Sequence, residues 1–197
     1  MREVMHLFFQ GPRKMGKSSV LRSMLLPHEK NLCGLVVQRL LEEGRQVGFR
    51  AVKLKESYPA LEIPYACDLD GVFILRGIKK TSVLEEVILE AQKDIGERRC
   101  KIIVLDEIGG IELLSPVFMR TLEQILQSGK PCIGVLKSEE NLAHTASELH
   151  LEQSYFTNRR LLEKMILREG EVISLEQKGS PFMEPIIKAF LLREHME

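Results

Sequence analysis

Gly11-Pro12-Arg13-Lys14-Met15-Gly16-Lys17-Ser18 has the residue types and spacing of a loop that holds a polyphosphate. The glycines let the backbone turn successive N–H groups inward on an anion. The lysine after the second glycine reaches the β and γ phosphates, and the hydroxyl beside it completes the shell of a magnesium ion. Ser19 continues the run and is counted with the phosphate-binding residues. A second pair, Asp106-Glu107, closes an unbroken apolar run, Ile102-Ile103-Val104-Leu105. With a phosphate loop upstream, the aspartate is placed to serve the magnesium that bridges the phosphates. The glutamate is placed to orient and deprotonate a water for in-line attack on the γ-phosphorus. Without that loop the same pair would read as solvated carboxylates at a sheet rim.

These residues need elements to carry them. Val4-Met5-His6-Leu7-Phe8-Phe9 is an apolar run of strand length, and Ser19 to Leu25 has helical spacing, so the loop reads as strand, turn, helix, with the phosphates at a helix N-terminus. Pro27 should end that helix. Leu35-Val36-Val37 and Val47 to Leu54 read as two strands joined by the polar turn Glu42 to Gln46, a β-hairpin in a chain that otherwise alternates strand and helix. Residues 55–70 contain Pro59 and Pro64 without a period and read as a loop long enough to be functional.

Val72 to Leu75 is a short strand, and a helix from Ser82 places Val83, Val87, Ala91 and Ile95 on one face before Gly96. Ser115-Pro116 announces a helix, serine as N-cap and proline at the first position, with Val117, Leu122, Ile125 and Leu126 buried. Cys132 to Leu136 is a buried strand that delivers Lys137 and Ser138. A polar stretch to Gln153, a helix near 155–168, a strand over 172–175 and a helix over 183–193 complete the chain. The alternation predicts an α/β three-layer sandwich with a mostly parallel sheet, and the ligand edge of such a sheet would gather Gly11, Asp106, Glu107 and Lys137.

The 197 residues suit one domain over the whole chain, 1–197. With 28 basic against 28 acidic residues there is no cationic excess to hold nucleic acid by counterion release, so no nucleic-acid partner is expected. The apolar runs are strand-sized and none spans a membrane, and the N-terminus lacks the pattern of a secretory signal, so the expected location is cytoplasmic. Cys33, Cys67, Cys100 and Cys132 form no C-x-x-C pair and are expected to be reduced thiols, three of them buried.

The stretch Val104-Leu105-Asp106-Glu107-Ile108-Gly109-Gly110-Ile111-Glu112-Leu113-Leu114-Ser115 resembles the Asp-Glu-Ile-Gly-Lys-Met-Glu-Leu-Phe-Ser signature of the small nucleoside triphosphatases of the archaeal thermophile and human cancer-related type. The hairpin with Gly48-Phe49 is similar to a strand pair of that family, and with the phosphate loop the likeness covers residues 4–137. The resemblance implies a RecA-like P-loop NTPase fold with an inserted β-hairpin, and magnesium-dependent hydrolysis of ATP, GTP and other nucleoside triphosphates with loose base selectivity. By position, Gly11, Gly16, Lys17 and Ser18 hold phosphate and magnesium, Asp106 serves the metal and Glu107 activates water, making Lys17 and Glu107 the expected catalytic residues. Glu112 matches the signature with a structural role such as helix capping.

The chain also departs from the pattern. The family lysine after Asp-Glu-Ile-Gly is Gly110, the phosphate loop carries Arg13-Lys14, the first helix is short, and no Asn-Arg segment follows Leu175, which bears on base recognition. Arg13 and Lys14 either add charge over the phosphates or are solvated. Lys137 is a candidate sensor of the γ-phosphate, and Arg159 and Arg160 are candidate arginine fingers or members of a charged helix face. Two other functions stand beside hydrolysis. A small-molecule kinase would need an acceptor pocket and an arginine-rich lid, and a nucleotide-dependent switch would time an interaction with a protein partner.

Overall fold

The structure, a computed structural model, describes residues 5–149, 153–176 and 180–195, so Val4 of the first expected strand lies outside the described residues. The first half runs β1 (His6–Gln10), α1 (Lys17–Leu25), β2 (Leu32–Glu42), β3 (Arg45–Leu54), β4 (Glu62–Pro64), β5 (Val72–Leu75), β6 (Ile78–Lys79) and α2 (Thr81–Ile95). The second runs β7 (Ile102–Ile108), α3 (Pro116–Leu126), β8 (Cys132–Leu136), α4 (Glu139–Leu149), α5 (Gln153–Ile166), β9 (Gly170–Ser174) and α6 (Ser180–Arg193).

Alternate side chains of a strand face opposite ways, so an unbroken apolar strand needs cover on both faces. Leu7 and Phe9 of β1, Ile102 and Val104 of β7, and Ile133 and Val135 of β8 pack with Leu21 and Leu25 of α1 and Met183, Ile187 and Phe190 of α6. Phe8, Ile103, Leu105, Cys132 and Leu136 point the other way, onto Leu84 and Ile88 of α2, Phe118 and Leu122 of α3, and Leu162 and Ile166 of α5. This is the expected three-layer α/β sandwich.

Among the described residues nine strands form one sheet, in which β2, β7, β8, β1 and β9 are successive parallel neighbours. The strand that leads into the phosphate loop, β1, and the strand that carries Asp106-Glu107, β7, are separated by β8, which agrees with the RecA-like arrangement. Beyond β2 the sheet continues antiparallel through β3, β5 and β6, which are the inserted hairpin and its extension.

The hairpin is placed by a mismatch of length. β2 pairs with β7 only from Leu32 to Leu35. Higher up, Arg39 to Leu41 pair instead with β4, so the hairpin stands above the rim of the parallel strands. Residues 55–70 are therefore not wholly a loop, because the edge that β7 vacates recruits Glu62–Pro64 as a short parallel strand. The polar stretch before Gln153 likewise holds α4, whose sparse apolar residues give no helical period to read; Leu142 is buried.

Cys33 and Cys100 correct the expectation of reduced thiols. The pairing of β2 with β7 sets Cys33 opposite Ile103 and close to Cys100 in the preceding turn, and the two are joined as a disulfide with Cα atoms 5.4 Å apart. Cys67 is free and exposed. Cys132 is free and buried, and burial pushes its thiol pKa far above the usual value.

Candidate active site

The phosphate loop bends because its residues can. Gly11 has φ +147°, and a Cβ there would stand 2.5 Å from the Leu175 carbonyl oxygen at the end of β9, so only glycine lets the loop pass. Leu175 N donates to Gln10 O at 2.9 Å, and Asn141 Nδ2 of α4 donates to Gly11 O at 3.2 Å. Lys17 Nζ donates to the carbonyls of Gly11, at 2.9 Å, and Pro12, at 2.7 Å, drawing the lysine across the loop it begins from. Gly11, Lys17 and Ser18 are buried, Met15 is half-buried against the α1 core, and Pro12, Arg13, Lys14, Gly16 and Ser19 are exposed.

Ser18 Oγ donates to Asp106 Oδ1 at 2.9 Å, which brings the two expected magnesium ligands together across 88 residues of chain. Asp106 is fully buried and its Oδ2 finds no partner. Burial, and then the charge of Glu107, push its carboxyl up to about 7. A buried, unpartnered carboxylate oxygen beside a hydroxyl is a costly arrangement that a hard cation would relieve, and oxygen donors of this kind suit magnesium. Burial also lowers the pKa of Lys17, against the pull of Glu107 and Asp106, while the charge of Arg39 lowers it further.

β7 does not stop at the acidic pair. Between Leu105, opposite Gly134, and Ile108, opposite Leu136, it carries one residue more than β8, a β-bulge. Glu107 lies in this bulge with φ +57°, a conformation few residues other than glycine adopt. The bulge re-aims Glu107 toward β2, where its Oε1 meets Arg39 Nη2 at 3.2 Å, and Arg39 Nη1 reaches Glu62 Oε1 of β4 at 2.7 Å. Arg39 and Glu62 escaped the sequence reading. No motif ties Arg39 to a glutamate 68 residues away, and only the height of β2 above the rim brings them together.

The loop after β7 is held from inside. Glu112 is buried and its Oε1 accepts from Gly109 N and Gly110 N, both at 2.6 Å, so its role is to cap loop amides. From α5, Tyr155 Oη donates to Gly109 O at 3.2 Å and Asn158 Nδ2 to Leu113 O at 2.6 Å. At Gly110, where the family signature has lysine, a Cβ would lie 2.5 Å from Lys137 Nζ and 2.7 Å from Glu112 Oε2, so a side chain there would have to displace the ends of both. The Lys137 ammonium thus fills the space beside Gly110 and lies 5.8 Å from the Phe49 ring centre.

Arg159 is neither a free finger nor part of a solvated face. It is 1% exposed, and its guanidinium donates to Lys137 O at 3.1 Å, Gln10 Oε1 at 2.9 Å and Glu163 Oε2 at 2.9 Å. It ties the ends of β1 and β8 to α5. Arg160, its neighbour, is exposed.

The family described as NTPase matches residues 6–167, which takes in the phosphate loop, the hairpin, the bulged strand and α5. The chain belongs to this NTPase family. Among relatives, a nucleoside-triphosphatase THEP1 of Ignicoccus hospitalis is 30% identical over 144 residues, 69% of this chain and 80% of that protein. A THEP1 of Thermotoga petrophila is 26% identical over 142 residues, 70% and 74% of the two chains. The cancer-related nucleoside-triphosphatase homolog of mouse is 26% identical over 136 residues, 62% and 70%. The solution structure of a human cancer-related nucleoside triphosphatase superposes with a TM-score of 0.61 at 19% identity, covering 95% of this chain and 97% of that one. The crystal structure of THEP1 from Aquifex aeolicus gives 0.58 at 18% identity, covering 95% and 99%. These two likenesses show the fold of the NTPase family.

Proposed function

We propose that this member of the NTPase family is a magnesium-dependent nucleoside-triphosphate phosphohydrolase, cleaving ATP or GTP to the diphosphate and phosphate with Glu107 as the base. The observation that carries the reading is the bulge that turns Glu107 out of strand alternation, next to an Asp106 already bonded to Ser18. Backbone N–H groups between Gly11 and Ser19, Pro12 having none to give, would cradle the phosphates, with Lys17 exchanging its bonds to the Gly11 and Pro12 carbonyls for phosphate oxygens. Ser18 Oγ and Asp106 Oδ2 would hold magnesium, which supplies charge neutralisation between the β and γ phosphates. Glu107 takes the proton of the attacking water as its oxygen bonds to the γ-phosphorus, and the bond to the β,γ-bridging oxygen breaks. The relatives' names support hydrolysis, and we read the chain as a single P-loop domain; none of its described helices is long and apolar enough to cross a membrane.

The test compares free phosphate release from ATP and GTP by the wild type and Glu107→Gln, with nucleotide affinity measured in parallel. The variant should lose at least about a hundredfold in turnover and keep its affinity, in line with the usual contribution of a general base. A variant that hydrolyses at the wild-type rate would remove Glu107 from the mechanism.

A groove of about 380 Å³ between α1 and β4, lined by Ser19, Arg22, Arg39, Ala60, Leu61 and Glu62, favours a second reading, phosphoryl transfer to a small acceptor. The engagement of Arg159 inside the fold counts against it, since it removes one of the two arginines available for a lid. Label from γ-phosphate appearing on an added metabolite would promote it.

A further inference from the structure

Arg39 lines the same groove as Ser19, the last residue of the phosphate loop. Its backbone is fixed by Arg39 N donating to Leu61 O at 2.8 Å and by pairing of β2 with β4 above the rim. Its guanidinium bridges Glu107 and Glu62, and its side chain is 35% exposed, opening on the groove beside Ser19 at the start of α1. Its charge is felt by both Lys17 and Asp106, so it lies within the field of the phosphate loop as well as of the acidic pair. Two cations thus act on one carboxylate: Arg39 pairs with Glu107 directly, and Lys17 of the phosphate loop feels its charge. Like charges gathered in this way call for an anion, and Glu107 supplies one negative charge. A triphosphate supplies several, and a planar guanidinium matches phosphate oxygens in bidentate fashion.

We infer that Arg39 is the γ-phosphate arginine of this site: on binding of a nucleoside triphosphate its guanidinium leaves Glu107 for the γ-phosphoryl oxygens, and the freed Glu107 carboxylate takes the water. The inference rests on the hydrolase reading only for its second half, since contact with the γ-phosphate needs no turnover. No covalent bond to Arg39 is made or broken, and the proton passes from water to Glu107 alone. The pairing with Glu107 keeps the base occupied until the charge that it must attack has arrived. Arg159, engaged by three partners inside the fold, has no guanidinium edge to give to this task.

The experiment measures magnesium-dependent binding of ADP and of a non-hydrolysable ATP analogue by calorimetry, together with phosphate release from ATP. The proteins compared are the wild type, Arg39→Ala, Arg39→Lys and, as a control on the same groove, Arg22→Ala. Arg39→Ala should keep its ADP affinity, lose the preference for the triphosphate analogue by about tenfold or more, and fall at least a hundredfold in kcat, as loss of a phosphate-clamping arginine does. Millimolar guanidinium should restore part of that kcat in Arg39→Ala and none in Arg22→Ala. Should Arg39→Ala fail to fold, Arg39→Lys keeps the charge without the fork and should show an intermediate loss of preference.

An unchanged triphosphate preference in Arg39→Ala would overturn the inference. So would faster phosphate release with unchanged preference, because Arg39 would then only restrain Glu107. A wild type whose triphosphate preference depends on Arg39 but which releases no phosphate would sink the hydrolase reading and leave the γ-phosphate contact standing.

Discussion

Glu107 combines two features that rarely coincide away from functional sites, a carboxylate aimed at an arginine and a non-glycine residue at φ +57°. The left-handed backbone brings Cβ against its own carbonyl, a cost that glycine does not bear. Comparing two variants that both lack the carboxylate isolates this cost. Glu107→Gly should be more stable than Glu107→Ala by about 1 kcal/mol in urea unfolding. Equal stabilities would mean that the bulge relaxes when the side chain is removed, and that the Arg39 contact holds the conformation. The same residue shows the limit of motif reading. That Asp106-Glu107 follows an apolar strand was legible, because continuous hydrophobicity marks burial on both faces. The bulge was not, because one inserted residue leaves the hydrophobic pattern of β7 unchanged.

At the level of elements, α5 decides how the rim of the sheet is held. Its Tyr155, Asn158 and Arg159 bond the loop after β7, the end of β8 and the end of β1. Truncating a buried arginine leaves its carboxylate and carbonyl partners unpaired, a loss that typically costs about 3 kcal/mol or more. Arg159→Ala should therefore lower the urea midpoint strongly, while Arg160→Ala, on the exposed face, should stay within about 0.5 kcal/mol of wild type. Similar effects for both would contradict the assignment of Arg159 as the tie between strands and helix. Adjacent arginines in a sequence carry no mark of which one is buried, since helix rotation about the core makes that choice. Ser115 is the opposite case. Its position before Pro116 announced a helix N-cap, and its Oγ accepts from Phe118 N at 3.0 Å, because capping depends on residues only three apart.

The far end of β1, opposite the phosphate loop, sets a pH dependence for the molecule as a whole. His6 is buried, with its Nε2 bonded to Leu126 O of α3 at 3.0 Å and its Nδ1 unpartnered. Burial lowers its pKa below the free value of 6.5, opposed in part by the Leu126 bond and Glu169. The unfolded chain therefore takes up a proton near pH 6.5 that the folded protein refuses. Stability from this group is complete above that pH and is lost as pH falls from about 6.5 toward the lowered folded value. Urea unfolding at pH 7.5 and 5.5 should show the loss in wild type. The slope should be shallower in His6→Gln, by no more than one proton's worth, about 1.4 kcal/mol per pH unit. Parallel slopes for the two proteins would assign the dependence to other groups.

Short-range chemistry and periodicity determined most of the architecture before folding was considered. The phosphate loop, the unbroken apolar strands that demand two covering layers, the turn at Glu43-Gly44 and the cap at Ser115 each depend on residues a few positions apart. Tertiary structure alone decided what meets across long separations. It placed Arg39 on Glu107 through the unequal lengths of β2 and β7, gave the room at Gly110 to the Lys137 ammonium, turned Arg159 inward, and set Cys33 beside Cys100. The physical reason is common to all four. Local sequence fixes which way a side chain points from its own backbone, whereas its partner depends on sheet order, strand register and helix rotation, which emerge only when the elements pack.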